Sequence, residues 1–239
     1  MKRLLKLIAF GTAVIASTTI NAQTNVKQSL DDKQQAIIRI SALTGKGKLP
    51  ELKTELNAGL ETGLTVNQIK EVIIHVYAYA GFPRSLRGLQ TFMVVLDKRK
   101  TSGITDEPGI ESSPIDSAAS KYERGKAILE KLTGIPETQL KTGYAAFAPE
   151  IEIFLKEHLF ADIFERDVLS YAERELVTIS VLSSIGGVEP MLRSHLNICL
   201  NVGLTPEQLL QFVDVIKQTI GSKEASAAQT VLHEVLKSK

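Results

Sequence analysis

The chain has 239 residues, 44% hydrophobic and 23% charged, with 28 basic against 27 acidic side chains and a formal net charge of +1. That is an ordinary globular composition, with room for one large domain or two small ones. The charge balance excludes the clustered basic excess of a nucleic-acid footprint, and the absence of Trp, with aromatics at 5%, excludes stacking platforms for bases.

The chain opens on MKRLLK, a basic run, followed by LIAFGTAVIAS, an apolar run too short for a comfortable membrane span. INA then places the small Ala22 before Gln23. This order is that of a secretory leader over residues 1–22, with an uncleaved anchor as the alternative. The expected mature chain starts near Gln23, has no stable membrane insertion, and is periplasmic or secreted. Disulfides form in such compartments, yet Cys199 is the only cysteine, so no internal bridge can close.

Beyond the leader, apolar residues recur at three- and four-residue spacing, the period of a helix face. The pattern is written twice. PELKTELNAGLETGLTVNQ (50–68) and PMLRSHLNICLNVGLTPEQ (190–208) are identical at nine of nineteen positions, 140 residues apart. IIRISAL (37–43) resembles VTISVL (177–182) upstream of each. Leu52, Leu56 and Leu60, and Leu192, Leu196 and Leu200, mark one helix face per copy. Gly63 and Gly203 then supply the positive φ of a helix C-terminus. Thr65 with Gln68, and Thr205 with Gln208, form capping-box patterns for the next helix, and Pro206 suits a first turn. That helix carries Ile69, Val72, Ile73 and Val76 in one copy and Leu209, Phe212, Val213, Ile216 and Ile220 in the other, ending at Gly81 and Gly221.

Residues 100–120 (KTSGITDEPGIESSPIDSAAS) read as a flexible linker. KYERGKAILEKLTG predicts a helix ending at Gly134, and IEIFLKEHLF (151–160) a short amphipathic one. No run alternates as a strand would. The prediction is an all-α protein of two tandem domains, 23–99 and 121–239. Their apolar stripes are too wide to face water and pack on each other as a pseudo-dimer.

The copies keep the frame and change the polar residues. His195 stands where Glu55 does, and Cys199 where Gly59 does. The first copy carries His75 and Tyr79 where the second has Val215 and Thr219. This division suggests one composite site built from both copies; independent drift of two structural repeats is the alternative. An imidazole at His195 can exchange protons near neutrality, and a carboxylate at Glu175 would fix its tautomer. His75 and Tyr79, at i and i+4, can touch. Arg166 offers a planar fork for a carboxylate. Cys199 reads as a small packed residue. The four histidines show no ligand spacing and no Gly-rich phosphate loop is present, so neither metal nor cofactor is expected.

YERGKAILEKLTG, FADIFERDVL, ERELVTISVL and SHLNICLNVGLTPEQL resemble, in this order and spacing, the carboxymuconolactone decarboxylase family. GLTVNQIKEVIIHVYAYAGFPRS is similar to that family's C-terminal signature. The resemblance implies an all-α fold, a homo-oligomer, and a small-molecule substrate. It places the family's functional histidine at His195, and at Glu175 the carboxylate of the related peroxidases' proton relay. The implied activity is cofactor-free acid/base chemistry, a decarboxylation or isomerisation of a small carboxylated or lactone substrate. His195 and Glu175 would be catalytic, with His75, Tyr79 and Arg166 binding. One alternative is an alkylhydroperoxidase-like antioxidant, although Val188 and Met191 stand where its two cysteines would. Another is a non-catalytic oligomeric binding module.

Overall fold

The computed structural model describes residues 29–115, 118–137 and 141–238; the leader assigned to 1–22 lies outside them. In the first copy, helix α1 (Asp32–Lys46) starts on a capping box of Asp31 and Gln34, and α2 (Leu49–Glu61) carries Pro50 in its first turn. Helix α3 (Val66–Thr101) starts on the Thr65–Gln68 box and breaks at Gly81, φ 78° and ψ 166°, into two arms. In the second copy, α7 (Tyr171–Ile185) starts on a Ser170–Glu173 box, followed by α8 (Glu189–Asn201) and α9 (Pro206–Ile220) on the Thr205–Gln208 box. A break at Gly221 then leads into α10 (Ser222–Lys237). Between the copies lie α4 (Lys121–Thr133), α5 (Gly143–Phe147), α6 (Pro149–Phe154) and a π-helix (Leu155–Phe164). The described residues contain no strand, and the fold is all-α.

The equivalent helices α1 and α7 lie against each other at the centre. The first arm of α3 then packs on α7, and α9 packs on α1, so each copy lends its third helix to the other. One continuous core results. Ile37, Ile40, Leu52, Ile69 and Ile73 of the first copy share it with Val177, Ile179, Leu196, Phe212 and Ile216 of the second. Each such side chain contributes roughly 1.5–3 kcal/mol by leaving water, so each copy adds to the stability of the other.

The stretch read as a flexible linker is tied to the start of α3. Val66 and Asn67 donate their backbone N–H groups to the Glu107 and Pro108 carbonyls, at 2.9 Å each. The Asn67 amide donates to the Ile110 carbonyl and to Glu111, and Arg99 forks onto Asp106. Composition alone carried no sign of these partners. The helix expected over 151–160 forms as α6 running into the π-helix.

A second, smaller core joins α4 to the π-helix through Ile128, Leu132, Phe160 and Phe164. Contact is closest at Gly125, where an added Cβ would sit 1.8 Å from the Lys156 carbonyl oxygen. The Lys156 side chain is buried and donates to Tyr122 Oη (2.8 Å) and to Glu137 and Glu152. Gly125→Ala should force α4 off the π-helix and cost about 3 kcal/mol, the upper end of overpacking effects. Urea denaturation of the variant checks this.

Candidate functional site

The site forms where the first arm of α3 crosses α7 and α8. Glu71, His75 and Tyr79 recur every four residues along α3 and form one polar stripe beside its apolar face. Arg174, Glu175 and Thr178 answer them from α7, and His195 from α8.

Glu175 is 0% exposed, and its Oε2 lies 2.8 Å from His195 Nδ1. A carboxylate accepts, so Nδ1 carries the ring proton and Nε2 keeps its lone pair. No described residue hydrogen-bonds to Nε2, and the His195 side chain is 13% exposed. The arrangement is an oriented base at the edge of the protein interior. The Tyr79 ring meets the His195 ring edge-on, with centroids 5.7 Å apart. Burial, and then the Glu175 charge, push the Tyr79 phenol well above its usual range, so it stays a donor.

Among the described residues, two buried side-chain polar atoms have no hydrogen-bond partner: Tyr79 Oη and Glu175 Oε1. Buried polar groups are nearly always paired. A donor and an acceptor are thus left without a hydrogen bond among the described residues beside the His195 ring, with Thr178 the polar neighbour of the Tyr79 phenol.

His75, expected to contact a ligand, has protein partners on both ring nitrogens. It is 0% exposed. Arg174 can only donate, so His75 Nδ1 accepts from its guanidinium (3.3 Å). Nε2 therefore carries the proton and donates to Thr178 Oγ1 (2.9 Å), whose own proton goes to the Arg174 carbonyl (3.0 Å). Burial first, and then the Arg174 guanidinium, hold its imidazole well below the usual range. His75 is thus a neutral strut, stacked on Tyr79 at 5.6 Å with Phe164 against its edge at 5.0 Å.

One edge of the Arg166 fork is taken by Glu71, and the side chain is 34% exposed. Its Nε reaches both oxygens of Glu71, at 2.9 and 3.1 Å, on the rim of a shallow hollow with Phe164, Ser170 and Tyr171. Glu71 also accepts from the fully buried Arg174 (3.2 Å), which donates in turn to the Arg166 carbonyl (2.5 Å). Sequence reasoning missed Glu71, Arg174 and Thr178. The i, i+4, i+8 run of Glu71, His75 and Tyr79 was the available signal for the first.

Cys199 is 0% exposed, and burial followed by the Glu175 charge raises its thiol well above the usual range. Cys199→Ala should cost about 1 kcal/mol, as small core truncations do, with activity changed no more than a few-fold. A thiol reagent at mildly alkaline pH should label the native protein only as fast as it unfolds.

The pseudo-symmetric position in the first copy has no such pair. Aligning the capping boxes sets Gln35 against Arg174 and Ala36 against Glu175. The 140-residue offset sets Gln211 against Glu71 and Glu55 against His195. There Gln211 Oε1 accepts from the Leu30 N–H (2.7 Å) and Gln35 donates to the Leu30 carbonyl (3.1 Å). The polar positions of that copy hold the incoming chain.

The sequence profile of the carboxymuconolactone decarboxylase family matches residues 7–92 and again residues 149–234. The first span holds Glu71, His75 and Tyr79 and reaches back into the stretch read as a leader; the second holds Arg166, Arg174, Glu175 and His195. The 4-carboxymuconolactone decarboxylase of Acinetobacter baylyi is 31% identical over 91 residues, covering 38% of this chain and 67% of that protein. With two matches that together take in well over half of the residues, in tandem and on both sides of the site, the chain belongs to the carboxymuconolactone decarboxylase family.

Proposed function

We propose that the protein catalyses cofactor-free proton transfer on a small carboxylated or lactone substrate, a decarboxylation or an isomerisation, outside the cytoplasm. The observation that carries this reading is the 2.8 Å contact between the buried Glu175 carboxylate and His195 Nδ1. It leaves Nε2 as a base whose conjugate acid Glu175 stabilises. Tyr79 Oη donates to an oxygen on which charge develops as a carbon is deprotonated or loses CO₂. In an isomerisation the imidazolium returns that proton to another carbon; in a decarboxylation Nε2 first takes a proton from water and delivers it to the carbanion that CO₂ leaves behind. Arg174 is committed to Glu71 and stiffens the site, while Arg166 gives Glu71 its Nε and Nη2 and keeps Nη1 for a substrate carboxylate. The A. baylyi relative's name supplies a first substrate, 4-carboxymuconolactone.

The thiol-peroxidase alternative rests on Cys199 alone, a buried thiol held protonated, which argues for the acid/base reading. Incubation with 4-carboxymuconolactone and related lactone acids in D₂O is the test. The expected product carries one solvent deuterium on carbon, and its formation is lost in His195→Ala. Product formation that persists undiminished in that variant would refute the assignment.

A further inference from the structure

A second acid/base chain, sharing no residue with the His195 site, joins α3, the π-helix and α4. Tyr77 Oη lies 2.7 Å from His158 Nε2, and His158 Nδ1 lies 3.2 Å from Asp162 Oδ2. Lys121 of α4 holds the other oxygen of Asp162 at 2.8 Å. The partners again settle the tautomer. Asp162 accepts from Nδ1–H, so Nε2 offers its lone pair and the Tyr77 hydroxyl donates to it. Burial pushes the Asp162 carboxyl up, but Lys121 and His158 outweigh it and hold the group below its usual range, so Asp162 stays an acceptor. A nucleophile, a base at hydrogen-bond distance and a group orienting the base are the parts of an activated nucleophile. Unlike His75, this imidazole is open to solvent, with its side chain 49% exposed.

One side of the Tyr77 ring is covered by an exposed apolar ring. The Phe82 ring stacks on Tyr77 with centroids 4.1 Å apart and is 60% exposed. Leu86 follows one turn along α3, and Phe154 stands one turn before His158; both are exposed.

We propose that Tyr77 is an acyl-accepting nucleophile with His158 as its general base, a second reactive site for activated esters of apolar carboxylic acids. Tyr77 Oη attacks the acyl carbon as its proton passes to His158 Nε2. The new aryl ester bond forms, the bond to the leaving group breaks, and that group departs with the electron pair. The imidazolium, held by Asp162, then gives the proton to the leaving group or to water. No redox partner is required.

The test uses the full-length protein and 4-nitrophenyl acetate, with release of 4-nitrophenolate followed by light and the acetylated peptides mapped by mass. Tyr77 should be acetylated roughly 100-fold faster than Tyr144, the low end of what a positioned base contributes. Tyr144 is the sharper control because it is 61% exposed and its hydroxyl has no partner among the described residues. His158→Gln should bring Tyr77 down to the rate of Tyr144, Asp162→Asn should fall between, and Tyr77→Phe should remove the adduct. Circular dichroism confirms that each variant is folded. Labelling of Tyr77 no faster than Tyr144, an unchanged rate in His158→Gln, or stable acetylation on His158 itself would each overturn the proposal.

Discussion

Replacing His195 with alanine should lower turnover by roughly 10²–10⁴-fold, the contribution of a positioned general acid or base, and should lower stability as well. The side chain lies at the edge of the site and bonds only through Nδ1, so its loss opens little core, but it leaves the buried Glu175 carboxylate without its partner, which costs about 1–3 kcal/mol. Glu175→Gln should be nearly as damaging to kcat for a different reason. An amide can present an N–H to Nδ1, which moves the ring proton to Nε2 and removes the lone pair facing substrate. It also removes the charge that stabilises the imidazolium. KM should change less than kcat in both variants, because neither side chain binds substrate strongly before proton transfer. Steady-state kinetics on 4-carboxymuconolactone, or on whichever lactone acid proves active, checks the pair.

Replacing Arg174 with alanine should cost about 3–5 kcal/mol, the range for breaking a buried ion pair from one side. Arg174 is fully buried, and its guanidinium meets Glu71, His75 and the Arg166 carbonyl together. Alanine leaves His75 Nδ1 and that carbonyl without donors, and leaves the buried Glu71 carboxylate to Arg166 alone. The site should suffer with the fold, because His75 loses the donor that sets its tautomer and then its stacking on Tyr79. A double variant, Glu71→Leu with Arg174→Met, removes both charges and replaces them with apolar volume. It should be more stable than Arg174→Ala, a non-additivity expected of residues in one network. Urea denaturation of the two variants beside the parent protein gives the comparison.

Much of this architecture could be read from residue order. The capping boxes at Thr65 and Thr205, and the Gly63 and Gly203 turns with φ of 87° and 97°, are local features that depend on a few neighbouring side chains. The repeat was legible for the same reason, since its apolar spacing must be kept in both copies for one core to form. Glu175 and His195 could be paired because consecutive helices joined by a short turn bring a twenty-residue separation back into register. What escaped was long-range. Nothing near Glu71 in sequence announces Arg166 and Arg174, which lie some hundred residues away and meet it only because α3 crosses to the other copy. The Glu71 partner of Arg166 was out of view for the same reason, and so were the Arg174 and Thr178 partners of His75, since a buried histidine and a lining histidine have the same neighbours in sequence. The π-helix was hidden too, since one extra residue per turn leaves the apolar pattern of 151–160 almost unchanged.

Ring nitrogen shifts of the histidines test the central claim, that α7 and α8 hold an oriented base against a strut from the other copy. A long-range ¹⁵N–¹H correlation spectrum, recorded about two units above the ordinary histidine pKa of about 6.5, reports the neutral tautomer of each ring. His195 should carry its proton on Nδ1 with Nε2 bare, and His75 should show the reverse, Nε2 protonated and Nδ1 accepting from Arg174. Exposed His233 provides the unconstrained reference. Opposite tautomers for His195 and His75 are the result this account predicts. A His195 ring protonated on Nε2, or matching His233, would mean that Glu175 does not orient it, and would contradict the account.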